Sequence, residues 1–232
     1  MDESLKNRAL TGKTYHPSDP EARHLSSCDN KLGALIKHLG QIEFSLRKDY
    51  FSALVRAIVG QQLSLAAART IWQRFSIIVG RVEPQNILIL KERELRKVGL
   101  SERKVAYVRE LSAQVLQGEF SFDQLKNLPD EEVMARLTKL KGVGTWTSQM
   151  FLIFSLGRPD VLPGEDAGVL RAYSWLYGVG AENVRVRLTA SAESWKPFRT
   201  IACLYLWEAV NRGAISLPPP HTPRKERSRS RT

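Results

Sequence analysis

The chain is poor in the residues that build metal and nucleophile sites. It has two cysteines, Cys28 and Cys203, and four scattered histidines, His16, His24, His38 and His221. Two distant thiols cannot form a four-thiolate zinc or iron–sulfur site, and no histidine pair has ligand spacing, so no catalytic metal is expected. Both cysteines read as reduced packing residues, with Cys203 in an apolar helical run. There is no Gly-x-Ser-x-Gly elbow and no phosphate-binding loop ending in Gly-Lys-Ser/Thr, which excludes two common designs for hydrolases and nucleotide enzymes. No apolar run nears the ~18 residues of a membrane-spanning helix, and the N-terminus lacks a signal peptide's apolar stretch. A soluble, intracellular protein without membrane contact is expected. Strand-like alternation is nearly absent, and no repeat of fixed period is found. Any chemistry must rest on carboxylates, backbone groups and aromatics.

Positive charge, by contrast, is plentiful. Lys and Arg number 35 against 24 Asp and Glu, a formal charge of +11. The stretch Leu217–Thr232 holds five basic residues and one acidic residue, so +4 of the +11 lies there and +7 remains on the body. Such an excess predicts a polyanionic partner, most economically nucleic acid. The length of 232 residues can bury a core as one large domain or two small lobes.

Apolar residues recur at helical spacing along most of the chain. Residues 1–25 are polar and broken by Pro17 and Pro20, and are expected to be a loose arm or a simple wrap over the body. Asp29 can cap a helix through Leu39. Tyr50, Phe51, Leu54, Val55, Ile58 and Val59 form a helical stripe ending at Gly60-Gln61-Gln62-Leu63, and Ser64 opens the next helix. Further helices are expected over 91–98, 102–117 and 169–177. A last amphipathic helix should start near Pro197 and run through Trp207. The body, residues 26–216, reads as all-α, and 217–232 as a disordered basic tail.

At the centre lies Leu137-Thr-Lys-Leu-Lys-Gly142-Val-Gly144-Thr-Trp146-Thr-Ser148, a glycine turn between two helical patterns within a hairpin of about 131–156. Glycines two apart can bring backbone N–H groups together at the start of a helix, where the dipole favours an anion such as phosphate. The same pattern also describes an ordinary helix–helix connection with glycine as a stop signal. Local pattern does not choose between them.

Four stretches in one order do choose. Phe51-Ser-Ala-Leu-Val-Arg-Ala-Ile-Val-Gly-Gln-Gln-Leu-Ser64, the glycine hairpin, Asp160-Val-Leu-Pro-Gly-Glu-Asp-Ala-Gly-Val169, and Trp195-Lys-Pro-Phe-Arg199 through Trp207 together resemble the helix–hairpin–helix DNA glycosylases of the AlkA-type alkylpurine (3-methyladenine) branch. The resemblance runs from about residue 30 to 213, without room for the extra N-terminal β domain of larger members. It implies a two-lobed helical fold with the active-site cleft between the lobes.

The resemblance also assigns roles. Asp166 matches the catalytic aspartate, and Trp146 and Trp207 match aromatics of the base pocket. Gln62 falls at the wedge that fills the gap left in the duplex, with Leu63 beside it. Lys141, Gly142, Gly144 and Thr145 suit phosphate contact. The backbone carbonyls of Thr138, Leu140 and Val143 match the family's monovalent-cation site, a structural Na+ or K+; no cofactor is implied for catalysis. Ala167 and Met150 stand in the pocket where familiar members carry aromatic side chains, which implies a less enclosed or differently selective pocket.

The implied activity is monofunctional hydrolysis of the N-glycosidic bond of alkylated purines, 3-methyladenine and 7-methylguanine, in duplex DNA. Such an enzyme must extrude its nucleotide, least expensively when the base is damaged. Relatives that also cut the backbone use a lysine nucleophile where this chain has Trp146. Composition does not separate Asp166 from its neighbour Glu165; only the resemblance does. A monomer acting on alkylated double-stranded DNA follows, in the nucleoid-bearing cytoplasm of a bacterium or the nucleus of a eukaryote. The rival reading is a non-catalytic helix–hairpin–helix protein that recognises damaged or abasic DNA.

Overall fold

The computed structural model describes residues 11–221. Residues 1–10 of the expected arm and 222–232 of the expected tail lie outside them. Among the described residues the chain divides into two compact units. One is Ser45–Arg158 with Thr11, the other Gly12–Phe44 with the chain from Pro159 onward.

The first unit is helical because its apolar residues recur every three or four positions between polar caps. Helix α3 (Tyr50–Gly60) is capped by Asp49, whose carboxylate accepts from Ser52 N–H at 3.0 Å. It buries Phe51, Leu54, Val55, Ile58 and Val59, each worth roughly 1.5–3 kcal/mol in gross transfer terms. Helix α4 (Leu65–Val79) starts at Ser64, whose hydroxyl accepts from Ala67 N–H, as expected. Short helices α5 (Pro84–Ile89) and α6 (Glu92–Lys97) pack on α7 (Glu102–Leu116). A 3₁₀ turn over Asp123–Asn127 leads to α8 (Asp130–Leu137) and α9 (Thr145–Phe154). Helix α3 lies against α4, α7 and α9, so the α3–α4 loop and the α8–α9 hairpin share one support.

In the second unit, residues 11–25 are not the loose arm but wrap onto the body, the other form expected of this segment. Thr11–Tyr15 form β1, paired with β2 (Ile42–Leu46), and Pro20–Cys28 form α1. Tyr15, Ala22 and Leu25 are buried, which anchors the segment despite its prolines; Pro20 sits in the first turn of α1, where no backbone N–H is needed. Cys28 is exposed rather than packed, whereas Cys203 is buried and its thiol pKa is pushed up by burial and by the charge of Asp166. Helices α2 (Asn30–Leu39), α10 (Ala167–Tyr177) and α11 (Val184–Ala192) complete the unit with α12 (Arg199–Asn211). The last of these begins two residues beyond Pro197. It is not amphipathic, since every residue from Thr200 to Leu206 is buried. An all-round apolar helix is what a central helix requires, and α12 packs against α1, α2 and α10. Leu217, the first residue of the expected tail, is held by Trp175, whose indole N–H donates to its carbonyl at 2.7 Å.

One carboxylate ties this unit together. Oδ1 of Asp29 caps α2 by accepting from Lys31 and Leu32 N–H at 3.1 and 3.0 Å. Its Oδ2 accepts from the Tyr177 hydroxyl at 2.5 Å and from the indole N–H of the fully buried Trp195 at 3.0 Å. Burial and this carboxylate drive the Tyr177 hydroxyl pKa well above its ordinary range. Asp29→Ala removes a cap and strands two donors, so it is expected to lower the unfolding free energy by about 2–3 kcal/mol, read as a lower denaturant midpoint at unchanged slope.

Candidate functional site

The hairpin between α8 and α9 turns on Gly142. Leu140 N–H donates to Leu137 O and Val143 N–H to Leu140 O, which closes a tight turn. Gly142 takes φ +80°, the left-handed region that glycine enters without steric cost. The ring of Tyr107, from α7, lies against it so closely that a Cβ would come within 2.6 Å of the ring Cγ. Lys141 forms an exposed ion pair with Glu110 of α7 at 3.0 Å. The hairpin is therefore seated on α7 by an aromatic face and a charge pair. Gly144 is the N-cap of α9, with extended backbone and no side-chain cap, and Thr145 and Trp146 occupy the first turn exposed to solvent. The first N–H groups of a helix have no partner within it and carry the positive end of its dipole.

The α3–α4 loop meets this hairpin. Gln61 donates its side-chain amide to Gly142 O at 2.7 Å and to Thr147 Oγ1 at 3.1 Å. Next to it, Gln62 has φ +56°, the one non-glycine residue with positive φ among those described. Gln62 and Leu63 both face solvent. Met150, on α9, is half-buried and lines a small cavity with Arg47, Ala57 and Phe151.

In the second unit, Asp166 caps α10. Its Oδ1 accepts from Gly168 and Val169 N–H at 2.9 Å each, and from Trp207 Nε1–H at 2.8 Å. Gly168 permits this approach, because a Cβ there would lie 3.1 Å from both the carboxylate oxygen and Cδ1 of the indole. The segment leading in is anchored by Arg199, whose guanidinium grips both carboxylate oxygens of Asp160 at 2.8 and 2.9 Å. Glu165 instead points outward in an exposed pair with Arg185 at 3.4 Å. Ala167 is exposed at the first position of α10, and Trp207 is half-buried. Among the described residues, no group of three or more His, Cys, Asp or Glu side chains could hold a metal ion.

Comparison with known proteins gives the family. Residues 55–197 match the model of the HhH-GPD superfamily of base excision DNA repair proteins. The chain belongs to that superfamily. It is 32% identical over 202 residues to DNA-3-methyladenine glycosylase 1 of Schizosaccharomyces pombe, covering 84% of this chain and 89% of that one. Among solved structures, a DNA-3-methyladenine glycosidase from Bacillus halodurans superposes with a TM-score of 0.76 at 35% identity, covering 87% of this chain and 94% of the other. The S. pombe 3-methyladenine DNA glycosylase in complex with abasic DNA superposes with a TM-score of 0.77 at 32% identity, covering 83% and 97%.

Within this HhH-GPD chain, folding sorts the residues singled out from sequence into two sets. Gln62, Leu63, Lys141, Gly142, Gly144, Thr145, Trp146 and Met150 belong to the first unit, and Asp166, Ala167 and Trp207 to the second. Sequence reasoning missed Tyr107, Lys104 and Gly168, and treated Gln61 only as the end of a helix. None of these four carries a local pattern: each acts through a contact with a residue distant in sequence or through a single close approach.

Proposed function

We propose that this protein is a monofunctional DNA-3-methyladenine glycosylase, hydrolysing the N-glycosidic bond of alkylated purines, 3-methyladenine and also 7-methylguanine, in duplex DNA. The observation that carries the reading is the convergence of two backbone N–H groups and the Trp207 indole on one oxygen of Asp166. Departure of the base builds positive charge on the sugar, and an ionised carboxylate held beside C1′ stabilises that charge and orients water for attack. The indole hydrogen bond fixes the plane of Trp207 against the carboxylate, so a base stacked on Trp207 brings its own sugar towards Asp166. Alkylation leaves a purine electron-poor and often cationic, and stacking on Trp207 and Trp146 favours such a ring by roughly 0.5–2 kcal/mol. Neither Met150 nor Ala167 supplies an aromatic ring to the base.

The start of α9 takes a DNA phosphate through the N–H groups around Gly144 and Thr145, with Lys141 and Gly142 alongside, and Gln62 and Leu63 enter the space left by the extruded nucleotide. The hairpin also fits a monovalent cation: the carbonyls of Thr138 and Val143 accept no hydrogen bond among the described residues, and that of Leu140 keeps a second lone pair beyond the one Val143 uses. Thr138, Leu140 and Val143 would hold the ion, which would stiffen the turn and add positive potential towards a phosphate. The protein works as a monomer inside the cell.

Incubation with methylated DNA followed by chromatography of the released bases tests this. Free 3-methyladenine should appear, and the DNA strand should break only after alkali, because no lysine nucleophile replaces Trp146. Tight binding to an abasic-site analogue with no released base would instead establish the non-catalytic alternative. The five Lys and Arg of residues 217–232 act through counterion release. Their deletion is expected to flatten the slope of log affinity against log salt by up to about 4, with the spectrum of released bases unchanged.

A further inference from the structure

The loop that carries Gln62 is clamped on both sides. On one side the Gln61 amide reaches Gly142 O at 2.7 Å and the hydroxyl of buried Thr147 at 3.1 Å, across 81 and 86 residues of chain. On the other, the Lys104 ammonium donates to Val59 O at 2.8 Å and to Gln61 O at 2.7 Å, capping the C-terminal end of α3 with a cation. Both of these Lys104 contacts are to backbone carbonyls, and burial lowers the pKa of its ammonium. Between the clamps stands Gln62 at φ +56°, a conformation uncommon outside glycine, with its side chain in solvent. Backbone held in a sparsely populated region persists only where its surroundings over-determine it.

We infer that Gln61 and Lys104 are positioning residues that lock the Gln62–Leu63 loop to the phosphate-binding hairpin, so that gripping the strand and filling the gap in the duplex become one rigid act. This rests on the glycosylase reading above. A latch of this kind matters when the base must be pulled from a paired stack and matters little when the base is already unpaired. The side chains of Gln61 and Lys104 are spent on contacts within the protein, so the chemical step itself should be left alone.

The test compares wild type, Gln61→Ala, Gln61→Glu and Lys104→Met in single-turnover release of 7-methylguanine, placed opposite cytosine or inside a bubble of unpaired bases. Glutamate keeps the size of Gln61 but has no N–H to donate. Losing the two donated bonds should slow release from the paired duplex about 10- to 100-fold. Release from the bubble should stay within about threefold of wild type, because the cost of extrusion is then small. Equal slowing on both substrates, or no slowing on the paired one, overturns the latch. Should wild type release no base from either substrate, the glycosylase reading falls by itself. The latch is then decided by 2-aminopurine placed opposite a tetrahydrofuran abasic analogue: the fluorescence change on binding must be smaller for both Gln61 variants than for wild type, and an equal change overturns it.

Discussion

Asp166→Asn is expected to cut the release of alkylated bases by about 10²–10³-fold while leaving stability and DNA binding close to wild type. The two outcomes separate because the carboxylate caps a helix and, in the proposed mechanism, also steadies charge on the sugar, through different properties. As a cap, its Oδ1 accepts from Gly168 and Val169 at 2.9 Å and from Trp207 at 2.8 Å. An asparagine oxygen can accept all three, and Asn ranks with Asp as an N-cap. Only the charge disappears, and with it a stabilising interaction with the helix dipole of about 0.3–1 kcal/mol. A developing oxocarbenium, by contrast, needs the charge itself. Glu165→Gln is the matched control: Glu165 is exposed and paired only with exposed Arg185, a type of contact worth roughly 0–1 kcal/mol, so base release should not change. Base release by Asp166→Asn at the wild-type rate would remove Asp166 from the mechanism.

Gly142→Ala should cost about 3–5 kcal/mol of stability and remove most DNA affinity. Two penalties add. Alanine at φ +80° is strained in backbone, and its Cβ would sit 2.6 Å from Tyr107 Cγ and 2.7 Å from Cε2. Either the turn or the ring of Tyr107 must shift to admit it, which loosens the seat of the hairpin on α7. Pairing the change with Tyr107→Ala should relieve the collision but not the backbone strain, so the double variant regains only part of the loss. Gly144→Ala is the contrast. Its φ of −98° is ordinary and nothing lies within 4 Å of an added Cβ, so its stability should stay within about 1 kcal/mol of wild type. Thermal melting and duplex binding measure all three. A Gly142→Ala protein that melts with wild type would mean that Tyr107 does not press on the turn.

These two glycines show how far sequence carries. Two residues apart in one motif, they look equivalent on paper, and either could have marked a simple helix stop. The left-handed backbone at Gly142 and the ring of Tyr107, 35 positions earlier in the chain, set it apart from Gly144. The N-terminal segment shows another limit. Pro17 and Pro20 left a loose arm and a wrap over the body both open, and burial of Tyr15, Ala22 and Leu25 outweighs local polarity; the alternation of Ile42-Glu-Phe-Ser-Leu46 is real but only five residues long. In α12 the stripe of apolar residues was visible, while the burial of the positions between them was not.

What the amino-acid order determined by itself were the features with a short period or a local partner. The helical class, the caps at Asp29 and Ser64, the glycine turn, the surplus of cations and the ordered set of motifs that marks the superfamily are all of this kind. They are legible because a helix repeats every 3.6 residues and a cap reaches only two or three positions ahead. The tertiary structure alone decided which side chains serve one another across long stretches of chain: Gln61 with Gly142, Trp207 with Asp166, Trp195 with Asp29. A hydrogen bond between residues 41 to 166 positions apart leaves no periodic trace, and it forms only once packing has already brought donor and acceptor to within about 3 Å.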